Sequence, residues 1–305
     1  MRYREGGNVD LSSIQDRRGR GGLGGGRGVA VGGGGLGLVG LVIVVLFQVL
    51  GGGDGGTGAA LGGLGGLAAG ETADNSQLEA SCSDSGAAND SVDCAVAADV
   101  DSIQDYWTRT LGADYVPTDT VFFSGSVQTS CGAASSGSGP FYCPADQLVY
   151  IDLSFFDQLQ SQFGAQGGLF VNAYVIAHEY GHHVQNLLGT NRQVSPGESG
   201  PRSGTVRLEL QADCYAGAWA HHAETVPDES GEPLIAEITQ EDIDRALDAA
   251  GRIGDDFIQQ NLGTGRVDQD AFTHGSSEQR QKWFMTGYET GDPRQCDTFT
   301  TEDLG

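Results

Sequence analysis

Residues 170–189 read FVNAYVIAHEYGHHVQNLLG, and both the fold and the chemistry turn on this stretch. Gly189 supplies a helix stop, and the spacing predicts a helix over Leu169 to Leu188. Inside it, His178-Glu179-Tyr180-Gly181-His182 forms a His-Glu-x-x-His pattern. On a helix, residues i and i+4 project from one face. His178 and His182 can therefore reach one Zn2+, with Glu179 beside the water that the metal activates. Composition alone produces the pattern about 0.005 times in such a chain. Three of the six histidines also fall within six residues, which incidental core or surface histidines explain poorly. Gly181 lets a neighbouring segment pack close.

A catalytic zinc keeps three protein ligands and one open position. A metzincin continuation would need Gly at 185 and His at 188, where this chain has Gln185 and Leu188, so the third ligand lies elsewhere. The stretch LELQADCYAGAW, residues 208–219, places Glu209 and Asp213 at i and i+4 on another helix face. Glu209, with the longer side chain, is assigned as the ligand. Asp213 is assigned to orient a ligand histidine through its free N–H. Both are carboxylates on one face, so the sequence leaves an exchange of these two roles open. A carbonyl under attack also needs a donor for its developing oxyanion. His274 in FTHGSSEQRQKW, with Arg280 behind it, is the candidate.

The chain has 305 residues and a formal charge of -25, which excludes a phosphate-backbone partner in the absence of a basic patch, so no nucleic acid is expected. Residues 1–27 carry six arginines and read as a disordered cytoplasmic tail. No charge occurs between Arg27 and Asp54. Val29 to Leu50, at about 1.5 Å per residue, would be long enough to cross a bilayer, so 28–50 reads as a single transmembrane anchor with the following chain extracytoplasmic. A cleaved signal peptide is the competing reading. The Gly-, Ala-, Ser- and Asp-rich residues 51–95 read as a linker, and 96–305 as the domain proper.

Within that domain, Val100, Ile103, Trp107 and Leu111 recur at helical spacing up to Gly112. Strands are expected at Thr120 to Phe123 and at Gln147 to Leu153. Further helices are expected near Phe155 to Phe163, Val206 to Glu224, Glu241 to Leu262 and Ser277 to Thr290, the last opened by a Ser276/Gln279 capping box. The result is an α+β fold, mostly helical with a small sheet. His183 points about 100° away from His182 on the helix, and His221 and His222 sit near a helix end, so none of the three is placed in the site.

The stretches GPFYCPADQLVYIDLSFF, AYVIAHEYGHHVQNLLG, LELQADCYAGAW, AAGRIGDDFIQ and FTHGSSEQRQKWFMTGYETGDPRQCDTF, with NVDLSSIQDRRG near the start, resemble the bacterial neutral zinc metallopeptidases, a membrane-anchored, gluzincin-like family. The resemblance implies a zincin-like fold with an edge sheet, His178 and His182 as ligands, Glu179 as the catalytic residue and Glu209 as third ligand. The substrate would be a protein or peptide outside the membrane. With chain proximity, it also suggests the pairs Cys82–Cys94, Cys131–Cys143 and Cys214–Cys296. In zincins the substrate commonly lies extended along a sheet edge, for which Gln147 to Leu153 is the candidate, a plain structural strand being the equal alternative. The alternative function is an inactive zincin-like scaffold at the cell surface. The intact Glu179 argues for the enzyme, and nothing in the sequence fixes the oligomeric state.

Overall fold

The computed structural model describes residues 1–18, 73–228 and 230–305. In chain order they form β1 (Arg2–Tyr3), β2 (Ile14–Asp16), α1 (Ser76–Cys82), α2 (Val92–Leu111), β3 (Thr120–Phe122), β4 (Ser126–Thr129), β5 (Gly132–Ser135), β6 (Phe141–Cys143) and β7 (Leu148–Ile151). There follow α3 (Phe155–Ser161), α4 (Leu169–Leu188), α5 (Gly204–His222), β8 (Ile235–Glu237), α6 (Gln240–Arg252), α7 (Asp255–Asn261) and α8 (Ser277–Thr290). This is the mostly helical α+β architecture with small sheets.

The helix boundaries follow from local chemistry. In α2, the Ser91 side chain accepts the Cys94 N–H at the start and Gly112, at φ 58°, closes the end. Gly189 terminates α4 at φ 74°, and the Ser276/Gln279 capping box opens α8. The single helix expected over Glu241 to Leu262 is instead two, α6 and α7. The chain turns at Gly254, where a Cβ would lie 2.5 Å from the Ser277 backbone nitrogen, so this corner exists only because residue 254 is glycine.

Helix α5 packs against both α4 and α8, and α6 packs against α4 and α8 in turn. Gly181 of α4 sits against Ala212 of α5, where a Cβ would lie 3.0 Å from the Ala212 Cα, and this close approach brings the His-Glu-x-x-His face to Glu209. The three disulfides are Cys82–Cys94, Cys131–Cys143 and Cys214–Cys296, as chain proximity and the resemblance together suggested. The main sheet has the order β2-β3-β7-β6, with β2, β3 and β7 parallel and β6 antiparallel to β7. The strand expected at the substrate edge, β7, is therefore internal. β6 is one edge strand and β2 the other, because the chain returns from the β4–β5 hairpin through Phe141–Cys143 before it enters β7.

The larger correction concerns the chain ends. Residues 1–18 are not a separate tail and residues 73–95 are not linker, because both belong to the folded unit. Tyr3, Val9 and Ile14 are 0 %, 4 % and 1 % exposed, and burial of such side chains stabilises by about 1.5–3 kcal/mol each. The Tyr3 hydroxyl donates to the buried Asp99 carboxylate at 2.7 Å. Arg18 pairs with Asp93 at 2.8 Å and lies over the Phe122 ring. Three apolar residues scattered among Gly and Arg form no periodic pattern, and their partners are about a hundred residues away in sequence. The proposed span at 28–50 lies outside the described residues. Among the described residues, no helix is long and apolar enough to cross a membrane.

The head also creates a pH dependence. The Asp10 N–H donates to Asp101 at 2.8 Å. Burial first, and then Asp105, Asp10 and Asp228, push the Asp101 carboxyl up to about 7 against that hydrogen bond. Its folded pKa exceeds the unfolded one. Its contribution is therefore complete below about pH 3.9 and is lost as pH rises through 7, with a ceiling of about 4 kcal/mol. Asp101→Asn should flatten the decline in denaturant stability between pH 5 and pH 8 relative to the parent. Parallel declines in the two proteins would show that Asp101 is not its source.

Candidate metal centre

One ligand atom from each of His178, His182 and Glu209 can be chosen so that all three lie within 4.8 Å of one another. The two histidines come from successive turns of α4 and the glutamate from the facing α5. The histidine tautomers are set by their outer nitrogens. His178 Nδ1 lies 2.8 Å from Asp213 Oδ1. Asp213 is fully buried, which raises its pKa, but the Arg280 guanidinium and His178 outweigh burial and hold it at about 2. It is thus an ionised acceptor, so Nδ1 donates and Nε2 is left to face Glu209 Oε2 at 3.2 Å. Asp213 is itself gripped by Arg280, Nε to Oδ2 at 2.8 Å and Nη2 to Oδ1 at 2.9 Å, and by the Tyr174 hydroxyl at 2.6 Å.

His182 is held in the same way by a residue that the sequence reading treated only as a missing metzincin glycine. Gln185 donates through Nε2 to the Leu208 carbonyl at 2.7 Å and to Gln211 Oε1, which fixes its amide. Its Oε1 therefore accepts from His182 Nδ1 at 2.9 Å, again turning Nε2 toward Glu209, 3.5 Å from Oε1. Gln185 lies three residues beyond His182 on the same helix face, and that spacing was the available signal.

This donor set fits a divalent cation. Among the described residues Glu209 Oε1, which is buried, has no hydrogen-bond partner, an arrangement that costs free energy unless a ligand satisfies it. Burial would raise the Glu209 carboxyl, yet His182 and His178 hold it well below the usual range. The pocket is thus polarised for positive charge, and two imidazoles with one carboxylate match zinc.

His274 sits on the loop before α8. The Asp255 Oδ2 atom accepts the backbone N–H groups of Thr273, His274 and Gly275 at 2.7, 2.7 and 3.0 Å, and Oδ1 lies 3.4 Å from His274 Nδ1. Burial pulls the His274 pKa down, but the Asp255 and Glu209 carboxylates outweigh it and raise it. Asp255, which escaped the sequence reading, thus fixes the loop that brings His274 near the triad. Arg280 is bonded to Asp213 rather than to His274.

The other histidines have their own partners. His183 bonds the Val116 carbonyl at 2.7 Å and the Tyr142 hydroxyl at 3.1 Å. His221 and His222 bond the Tyr288 and Gly291 carbonyls at the end of α8.

Comparison with known families gives a match over residues 1–299 to the family described as "Putative neutral zinc metallopeptidase". The chain belongs to this family. Among its relatives, the uncharacterized protein Rv2575 of Mycobacterium tuberculosis is 51 % identical over 225 residues, 73 % of this chain and 76 % of the relative. The uncharacterized protein YpfJ of Escherichia coli K12 is 45 % identical over 194 residues, 62 % of this chain and 64 % of the relative. No solved structure matches. The family match begins at residue 1, so the head strands of this neutral zinc metallopeptidase fall within the region that defines the family. Family membership and the His-His-Glu cluster together make the site that of a zinc-dependent peptidase.

Proposed function

We propose that the protein is a zinc-dependent endopeptidase that cleaves extracytoplasmic proteins or peptides, attached to a membrane through residues 28–50. The observation that carries the reading is the buried Glu209 oxygen that has no hydrogen-bond partner among the described residues, in a carboxylate faced by two histidines whose Nε2 atoms are turned toward it. Three disulfides support an oxidising compartment.

His178, His182 and Glu209 would hold the zinc, which supplies water activation and polarisation of the scissile carbonyl. Glu179, only 8 % exposed and next to the first ligand, takes the proton of the attacking water and passes it to the leaving amine. His274, its Nδ1 side held by Asp255, donates through Nε2 to the developing oxyanion. Asp213, with Arg280 and Tyr174, keeps His178 in the tautomer that leaves Nε2 free. Substrate pairs in extended form along β6, an edge strand of the main sheet.

The direct test is the metal content of the full chain. The parent should retain about one zinc per folded molecule, while His178→Ala and Glu209→Gln each lower zinc affinity by at least about 100-fold. A parent that folds, yet takes up no zinc under conditions that load other zinc peptidases, would end the reading.

A further inference from the structure

We propose that residues 1–18 and the peptidase domain occupy one compartment, so that the apolar run Val29–Leu50 cannot cross a membrane just once. The inference rests on the membrane insertion of that run but not on the catalytic reading. A single crossing would put about 30 Å of hydrocarbon between the chain before the run and the chain after it. The described residues on its two sides are instead bonded to one another.

The Asp74 N–H donates to the Asp16 carbonyl at 2.9 Å. Asn75 Oδ1 accepts the Asp16 N–H at 2.9 Å, while its Nδ2 donates to the Ile14 carbonyl at 2.6 Å. Beyond this junction, Ile14, Gln15 and Asp16 pair in parallel with Thr120, Val121 and Phe122 as the outermost strand of the main sheet. At the other end of the head, β1 pairs with β8, and Arg4 donates to the Asp228 carboxylate at 2.9 Å and to the Pro233 carbonyl at 2.8 Å.

With the Tyr3–Asp99 and Asp10–Asp101 bonds to α2, these contacts involve two of the three sheets among the described residues, the start of α1 and the loop before β8, so the head is fixed at every few residues. Removing it would also leave the Asp99 carboxyl, which is 0 % exposed, without the Tyr3 hydroxyl that bonds it. An N-terminus held in the cytoplasm with the domain outside is therefore incompatible with the assembled fold.

All six cysteines are in disulfides, so a single introduced thiol reports its own position. Glu5 and Glu302 are exposed on the head and near the other end of the chain. Glu5→Cys and Glu302→Cys in the full-length protein would be treated with a membrane-impermeant maleimide in sealed cells and in inverted membrane vesicles. Equal labelling of the two positions in each preparation is expected. Labelling from opposite faces, with one site reacting only in cells and the other only in vesicles, would overturn the proposal. Asn8→Cys with Glu79→Cys, also exposed, forms a second pair if either first variant fails to accumulate.

Discussion

Glu179→Gln should lower peptide-bond cleavage by about 10²- to 10⁴-fold while leaving zinc content and thermal stability near those of the parent. The substitution keeps the side-chain volume but removes the base. Glu179 is not among the three residues whose ligand atoms converge, so the site should still load. This separates the proton-transfer role from the ligand roles, because His178→Ala and Glu209→Gln lose metal as well as activity. Activity within about threefold of the parent, with full zinc, would remove Glu179 from the mechanism and reopen the scaffold alternative.

The second large effect lies away from the chemistry. A Cβ at residue 287 would fall 1.9 Å from the Cys214 carbonyl oxygen and 2.7 Å from the Ala218 backbone nitrogen, and one at Gly217 would fall 2.0 Å from the Phe284 carbonyl oxygen. These contacts are with backbone, so no rotamer change relieves them and α5 and α8 must separate. Overpacking in ordinary cores costs about 1–3 kcal/mol. Here the whole crossing shifts, and Gly287→Ala is expected to exceed about 4 kcal/mol. Because α5 carries Glu209 and Asp213 and α8 carries Arg280, zinc retention should fall with stability. Denaturant unfolding, with exposed Glu289→Ala as a comparison expected within about 0.5 kcal/mol, provides the measurement. A loss below 1 kcal/mol would mean that the helices can part without consequence.

What the sequence made legible was local. The i, i+4 spacing of His178 with His182 and of Glu209 with Asp213 survives folding, because a helix fixes those relations whatever surrounds it. Gly189 and the Ser276/Gln279 box mark helix ends for the same reason. Strand order is different, since nothing inside Gln147 to Leu153 says that Phe141–Cys143 will pair outside it. The head was illegible because β2 meets β3 only after about a hundred intervening residues, and its few apolar side chains form no repeat. Gln185 and Asp255 were missed for a third reason. Each acts by holding a histidine in one orientation, a property of the folded arrangement that neither the composition nor the spacing around Asp255 signals.

The grip of Arg280 on Asp213 also carries a consequence in time. Asp213 is 0 % exposed, and an ionised carboxylate so placed without its guanidinium is strongly unfavourable. Ribosomes make chains from the N-terminus, so α4 and α5, with every ligand and Glu179, emerge before α8 exists. Until α8 is made, the Asp213 carboxylate that faces His178 lacks the guanidinium that compensates its charge. The order of synthesis thus makes assembly of the proposed site wait for α8.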